Sequence, residues 1–371
     1  MDPITQGALG AIAGQALTQQ NKKYSKLIPI TLIAGLAGMS PDLDVLIRSN
    51  KDPLLFLVYH RQFTHSLFFI PLGALLCCLA LHPTIGKRYQ LNRWHSYFAC
   101  MAGYATHALL DACTSYGTLL LWPFSHQRFA WNSIAVIDIA YTLPLLLGIF
   151  LSIKYKSSWP ARAMMIWAVL YPSLGYMQQL KAEKAAQIHL EKKFSLQSHR
   201  PQHTHIKQHS ISAKPSMSNI VLWKIIYESN DFFYIDAIKV GLFESVEEAR
   251  YLPGSAIKKL SISRDLPWLD PNSQQAKDIE RFTWFSMGYV AKATANLIKT
   301  NSFKDSDAAS QIRIIDVRYS IVPNEINPLW SIGLRPNAEI TDHASYDSHR
   351  DASATVRKKF ADMLFGREPQ R

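Results

Sequence analysis

Glutamate is missing from the first half of this chain: none occurs before Glu183, and residues 1–177 carry only 6 Asp beside 13 Lys and Arg. With 19 charged positions in 177, about 11%, that stretch is too poor in charge to coat an ordinary soluble domain. Residues 178–371 carry 27 Lys and Arg and 22 Asp and Glu, 49 of 194 or about 25%, which is the usual soluble figure. The whole-chain averages, 48% hydrophobic and 18% charged, therefore conceal two halves suited to two solvents. Cysteine is scarce too: Cys77, Cys78, Cys100 and Cys113 all lie in the apolar half with no C-x-x-C pair, which argues against a disulfide framework and for small apolar fillers. There is no P-loop, no Gly-rich dinucleotide turn and no Ser nucleophile elbow, so nucleotide chemistry and serine hydrolysis have no motif to stand on. The net charge of +12 divides as +7 and +5 without a concentrated basic stripe. That distribution argues against specific nucleic-acid binding and for juxtamembrane Lys and Arg facing anionic lipid.

What is present in the apolar half is a series of long uncharged runs. Ser66–His82, Tyr97–Trp122, Ile134–Ile153 and Ala163–Met177 are rich in Leu, Ala, Gly and aromatic residues and read as four membrane helices. Segment Ile28–Ile47 is a further span or a re-entrant pair. Asp2 and Pro3 stand where a cleavable signal would have basic residues, so the membrane half is expected to stay attached. Basic residues concentrate in the 82–96 and 154–162 connections (Lys87, Arg88, Arg93; Lys154, Lys156, Arg162), while 123–133 has only Arg128. The positive-inside rule places the first two in the cytoplasm and sends the chain after 177 outward, against the vote of Lys181 and Lys184.

Residues 178–194 read as a charged helix, and the Ser-, His-, Gln- and Pro-rich stretch 195–218 as linker, its histidines His199, His203, His205 and His209 having no assigned role. The expected division is a helical membrane domain over 1–180, a charged helix and polar linker over 181–218, and a soluble α+β domain over 219–371. In that last domain IVLWKII, FFYIDAIKV, RFTWFSMGYVAKA and IRIIDVRYSIV read as strands, and SVEEARYL and SQQAKDIERF as helices.

Polar residues inside an apolar bundle are expensive and mark function by default. Three clusters hold most of them. Asp42 and Asp44 stand at i and i+2 beside Pro41, where both carboxylates can turn toward one cation. His60-Arg61-Gln62-Phe63-Thr64-His65-Ser66 precedes an apolar run, presenting two imidazoles and a guanidinium able to clamp an anion, with Thr64 and Ser66 as helix caps. His107 and Asp111, at i and i+4, share one helix face. Asp42, Asp44, His60, His65, His107 and Asp111 thus supply six ligand-type side chains within 70 residues, a donor set for one or two divalent cations: Zn, with Mn or Mg as alternatives. His126 and Asp138 are distant candidates for the same site, and His82 and His95 read as interfacial.

These motifs, together with the opening Met1-Asp2-Pro3-Ile4-Thr5-Gln6-Gly7 and Pro41-Asp42-Leu43-Asp44, resemble those of the YdjM-like family of bacterial inner-membrane-associated proteins. The resemblance spans roughly residues 1–180 and implies multi-pass placement in the inner membrane and a metal-dependent hydrolase activity, an assignment the family itself owes to its motifs. Many members have His where this chain has Gln6, so the resemblance makes Gln6 an amide-oxygen ligand or a hydrogen-bond partner to bound water. The His107-x-x-x-Asp111 pattern is also similar to the zinc sites of bacterial phospholipase C and single-strand-specific nucleases, all-helical phosphodiesterases.

The combined expectation is a mainly α, polytopic membrane bundle followed by a soluble α+β domain. In it Asp42, His60, His65, His107 and Asp111 hold metal, Asp44 binds metal or acts as general base, and Arg61 steadies a phosphate or other anion. A lipid or lipid-linked phosphoester is the substrate class that fits a bilayer. Two rivals stand beside it. One is a non-enzymatic membrane protein with a structural metal site or a metal or proton pathway. The other is a tethered binding module whose working part is the C-terminal domain, although ITDHASYDSHRDAS, with Asp342, His343, Asp347 and His349, reads as a solvated tail.

Overall fold

The computed structural model describes residues 1–18, 26–197, 211–294, 297, 312–349 and 353–367; the four linker histidines lie outside the described residues. The chain is about half helical with a β-sheet region toward its C-terminus. It divides into two compact units, one comprising 1–47, 59–177 and 217–220, the other 48–58, 178–216 and 221–371.

In the first unit, α1 (Pro3–Leu17) begins where Asp2 caps Thr5 N and Pro3 occupies the first turn, whose amide would be unpartnered anyway. No apolar run in the sequence singles out this helix; its composition is small residues, and its partner is α2 (Leu27–Met39). Past Met39, Pro41 withholds an amide and the chain tightens into a 3-10 turn, Ser40–Leu46, which carries Asp42 and Asp44. The short α3 (Leu55–Tyr59) belongs to the second unit but for its last residue. Next come α4 (Ile70–Leu81), α5 (Arg93–Ala112) and α6 (Ile139–Tyr155).

Among the described residues two helical stretches are long and apolar enough to cross a bilayer, Leu27–Leu46 and Leu67–Gly86, and Ile139–Tyr155 is a shorter apolar helix. The run Tyr97–Trp122 is not one helix. α5 stops at Ala112, where Thr114 Oγ1 donates to the Asp111 carbonyl at 2.7 Å, and the chain onward to Asp138 is turns and loops apart from the bridge Thr118 to Phe129. Asp138 caps α6 through Tyr141 N, and both its oxygens accept from Tyr171 OH at 3.0 Å. The charged segment 178–194 continues the apolar 163–177 in one helix, α7 (Trp159–Gln197).

Close backbone approach holds α1, α2 and α5 together. A Cβ at Gly103 would stand 2.0 Å from the Ala34 carbonyl oxygen, and one at Gly10 2.6 Å from the same atom. Small residues at a crossing let helices approach closely where lipid supplies no hydrophobic drive. Ile33, Ala34, Ala37, Ala74, Cys100 and Tyr104 form the buried seam, with Cys78 and Cys100 free thiols serving as fillers. His82 is buried rather than interfacial, its Nδ1 2.9 Å from Ser96 Oγ; His95 is exposed.

Among its described residues the second unit contains two antiparallel four-stranded sheets. The first is a meander of β1 (Ile211–Pro215), β2 (Leu222–Ser229), β3 (Phe232–Lys239) and β4 (Arg250–Lys258). The second is β5 (Val290–Lys292), β6 (Ile312–Asp316), β7 (Trp330–Leu334) and β8 (Ser345–Ser348). α8 (Ile262–Asp265), α9 (Gln274–Phe285) and α10 (Ala354–Phe365) complete the described elements. Several sequence expectations change here. β1 lies within the stretch that reads as linker, and SVEEARYL is turn and strand rather than helix, because Arg250–Leu252 pair with Ala237–Lys239. RFTWF extends α9, so only Val290–Lys292 of that run is strand. The polar run near the end is not a solvated tail: β8 pairs β7, His343 Nδ1 lies 2.9 Å from Asp278 Oδ2, and Asp347 pairs Arg313.

Two predictions follow from packing and burial. Gly103→Ala forces α5 off α2 and is expected to lower stability by about 1–3 kcal/mol, seen as a lower thermal midpoint in detergent; an unchanged midpoint contradicts the close crossing. Lys224, buried on β2 with Nζ donating to Ser320 Oγ (2.8 Å) and the Glu325 carbonyl (3.1 Å), is pushed down to about 7 by burial. Because the folded state releases this proton more readily than the unfolded one, the penalty is full below about pH 7 and fades as pH rises toward about 10. The unfolding midpoint of this unit, followed through buried Trp223, should rise over that window and lose much of the slope in Lys224→Met; equal slopes contradict it.

Candidate metal centre

Three turns of chain in the first unit meet at the ends of its helices. The 3-10 turn after α2 brings Asp42 and Asp44, the segment before α4 brings His60, Arg61, Thr64 and His65, and the last two turns of α5 bring His107 and Asp111. The pre-α4 segment is held by a left-handed Arg61 (φ 63) and by Tyr104 OH, which donates to the Thr64 carbonyl at 2.8 Å. Ser66 caps the turn through Phe68 N, while Thr64 turns inward.

Donor atoms of Asp42, His65, His107 and Asp111 all lie within 4.8 Å of one another. His65 Nε2 and His107 Nε2 face each other at 2.9 Å, Asp42 Oδ1 stands 3.5 and 3.4 Å from them, and Asp111 Oδ2 3.2 and 3.7 Å. Hydrogen bonds on the far sides of the rings fix their tautomers. His107 Nδ1 donates to the Gly38 carbonyl at 2.6 Å. His65 Nδ1 lies 2.9 Å from Thr64 Oγ1 and 3.3 Å from Asp44 Oδ2; since Thr64 Oγ1 already donates to that oxygen, the ring nitrogen must carry the proton. With both rings neutral the two Nε2 atoms would present lone pairs to each other, so the 2.9 Å contact requires a proton on one of them or a cation between them. Burial alone would lower the His65 pKa, yet hydrogen bonds to Asp111, Asp42 and Asp44 reverse the sign and raise it to about 10. The position demands positive charge, which a proton or a metal ion can supply. Spacings of 2.9–3.7 Å among two imidazoles and two carboxylates are those of donors around one small cation, and a backbone carbonyl or carboxylate behind each imidazole is the usual support of a histidine ligand.

A second group, Asp42, Asp44 and His60, shares Asp42 with the first. Here Asp44 is already heavily engaged. Its Oδ1 accepts from His60 Nδ1 at 2.7 Å, and its Oδ2 from Arg61 N at 3.0 Å and Thr64 Oγ1 at 2.7 Å. Burial pushes the His60 imidazole below its ordinary value despite Asp44, which favours the neutral form that can ligate. Of the carboxylate side chains, Asp42 is 22% exposed and Asp44 and Asp111 are sealed, so Asp42 marks the open edge.

Arg61 occupies a different place from the anion clamp that its sequence position suggests. Its guanidinium is buried, with Nε 3.0 Å from Asp111 Oδ2, Nη1 donating to Thr114 Oγ1 at 3.2 Å, and Tyr116 beneath it at 4.4 Å. The Met1 ammonium also contacts Asp111 Oδ1. Gln6 is fully buried in the same place: Nε2 donates to Asp111 Oδ1 at 2.9 Å and toward the His107 carbonyl at 3.4 Å, while its amide oxygen has no hydrogen-bond partner among the described residues. His126, exposed, and Asp138 do not join either group. Sequence reasoning passed over the Gly38 carbonyl, Thr114 and Tyr116. Backbone carbonyls leave no trace in a sequence, and the other two follow the end of a helix that the apolar run conceals.

Among known proteins, the family described as YdjM inner membrane protein matches residues 1–182. The chain is similar to inner membrane protein YbcI of Escherichia coli (strain K12), 36% identical over 132 residues, which cover 32% of this chain and 72% of that protein. No solved structure matches it.

Arg61 offers a test of this geometry. Arg61→Gln removes one of the two cations against the buried Asp111 carboxylate, leaving the Met1 ammonium and Gln6, and is expected to destabilise the metal-free protein by up to about 3 kcal/mol, with Asp111→Asn in the same chain restoring part of the loss. Thermal unfolding in detergent with chelator present reads this; a stability unchanged in the single variant would instead fit an arginine held open for an anion.

Proposed function

This chain belongs to the YdjM inner membrane protein family, and on that footing we propose that its membrane unit is a divalent-metal centre which activates water to hydrolyse a phosphoester carried by a lipid or lipid-like substrate. The observation that carries the reading is the meeting of two imidazole nitrogens and two carboxylates, from three separated motifs, on one point. Mixed His and Asp ligation favours Zn, with Mn or Mg as the harder alternatives. When bound, such a cation supplies Lewis acidity and a water of lowered pKa.

The chain's own residues divide the remaining work. Asp42, His65, His107 and Asp111 are the ligands of the first position, and His60 with Asp42 is the donor pair for a second. Gly38 and Asp44 aim the imidazoles. Asp44 as a general base would first have to surrender the Arg61 amide and the Thr64 hydroxyl, so it serves here as the group that orients His60 and His65. Arg61 offsets the Asp111 charge. Asp42, the partly exposed carboxylate shared by both donor groups, is the ligand at the open edge where water and substrate would enter. The apolar faces of α4 and α6, with Leu72, Leu75, Leu79, Leu143, Leu147 and Phe150 exposed, support a multi-pass placement in which lipid covers them and a substrate reaches the centre from the bilayer edge. In the four-pass form of that placement, α5 and α7 join α4 and α6 as spans.

Metal analysis of detergent-purified full-length protein tests the reading. Wild type should hold a stoichiometric divalent metal, largely lost in His65→Ala, His107→Ala and Asp111→Ala, and the loaded wild type should cleave a chromogenic phosphodiester that these variants do not. A folded wild type that takes up no metal when supplied with it overturns the proposal. A metal-loaded protein inert toward phosphoesters favours a structural or transport role.

A further inference from the structure

Residues 48–58 interrupt the first unit. They lie between the two motifs that bear Asp42 and Asp44 on one side and His60 and His65 on the other, yet they are structurally part of the C-terminal unit. The grip on them is specific. Arg281, on α9, donates from both terminal nitrogens to the Asp52 carboxylate, at 3.0 and 2.9 Å, in the bidentate geometry that is hardest to replace. The same guanidinium reaches Asp278 Oδ1 at 3.1 Å, and Asp278 Oδ2 accepts from Ala344 N at 2.9 Å and lies 2.9 Å from His343 Nδ1, which is itself 3.7 Å from Asp52. Phe56 packs edge-on against Tyr346 of β8, ring centres 4.8 Å apart, and Leu54 and Leu57 are fully buried. Burial would raise the Asp52 carboxyl, but the Arg281 hydrogen bonds and charge, with the Leu54 amide and His343, together hold it below its ordinary value.

Asp52, Asp278 and His343 have the makings of a metal group by type and distance. The guanidinium already lies among their oxygens, so the cluster is a clamp closed by its own cation. The chain enters this clamp four residues after Asp44 and reaches His60 two residues after leaving it. Both donor-bearing motifs are thus tethered, through a few bonds of backbone, to a segment whose conformation the C-terminal unit fixes. The family match ends at residue 182, so the clamp's partners on α9 and before β8 are an addition to what the family shares.

We propose that the C-terminal unit is a positioning device for the metal centre: Arg281 and Asp278 hold the 48–58 segment, and through it set the separation of the Asp42/Asp44 and His60/His65 motifs. This rests on the metal reading above. Asp52 and Arg281 touch neither metal nor substrate; they act through the backbone. Losing the clamp is expected to weaken metal binding by about tenfold to a hundredfold, the range typical for supporting groups of a metal ligand.

The test is zinc affinity of the full-length protein in detergent, by competition with a chromophoric chelator. Asp52→Asn and Arg281→Gln should each weaken zinc about tenfold, the double variant no further because the two share one interaction, and Arg281→Lys should recover part of the loss. Two controls separate this from general destabilisation: Arg264→Gln, which removes an exposed ion pair of the same unit, and Ile235→Val, which loosens its core, should both bind zinc as wild type does. Should Arg281→Gln fail to fold, Asp52→Asn carries the test alone, since its side chain lies on the segment and outside the sheet cores. Zinc affinity of Asp52→Asn within about twofold of wild type overturns the inference while leaving the metal centre standing. A wild type that binds no zinc overturns the metal reading itself, and the inference with it.

Discussion

Asp111 carries a carboxylate with no exposed surface in a bundle almost free of charge, and its neighbours are organised to keep that ion tolerable. Arg61, the Met1 ammonium and the Gln6 amide all turn toward it. An unpaired carboxylate there would cost several kcal/mol, so these contacts are a condition for the fold. Asp42 and Asp44 add two more negative charges nearby, and the fixed cations do not offset all three. The remaining demand for positive charge falls where His65 Nε2 and His107 Nε2 confront each other. A proton or a divalent ion would meet it, and the side chains gathered there are of metal-ligand type.

The backbone serves that requirement. Gly103 and Gly10 allow α5 and α1 to seat against the Ala34 carbonyl, and that contact brings His107 and Asp111 to the end of α2. Pro41 then converts the end of α2 into the tighter turn that carries Asp42 and Asp44. The Gly38 carbonyl, one residue from the end of α2, receives His107 Nδ1. Helix packing and ligand orientation are thus one construction, and a Cβ at Gly103 would disturb both.

Chemistry was more legible in the sequence than architecture. Acids and imidazoles stand out against a charge-poor background because each is costly there, and all six side chains singled out on that ground fall in the two donor groups that share Asp42. Arg61 shows the limit of such reading: residue type announces a cation, while only the fold reveals that its partner is Asp111. Architecture was obscured wherever one composition serves two structures. The oily run 97–122 hides the stop at Ala112, where the Cys113 and Thr114 amides and the Thr114 hydroxyl take up the last carbonyls of α5. SVEEARYL has helix-forming residues, but pairing with β3 claims its last three. α1 escaped notice because Gly and Ala pack helices without raising hydrophobicity.

The central claim is that His65 and His107 bind the same ion. X-ray absorption at the edge of the bound metal reads this directly. Wild type should show only nitrogen and oxygen neighbours, about 2.0–2.1 Å away for zinc, with outer-shell scattering from at least two imidazoles, one of which disappears in His107→Ala. A spectrum with sulfur neighbours, or with oxygen neighbours and no imidazole scattering, would contradict the account.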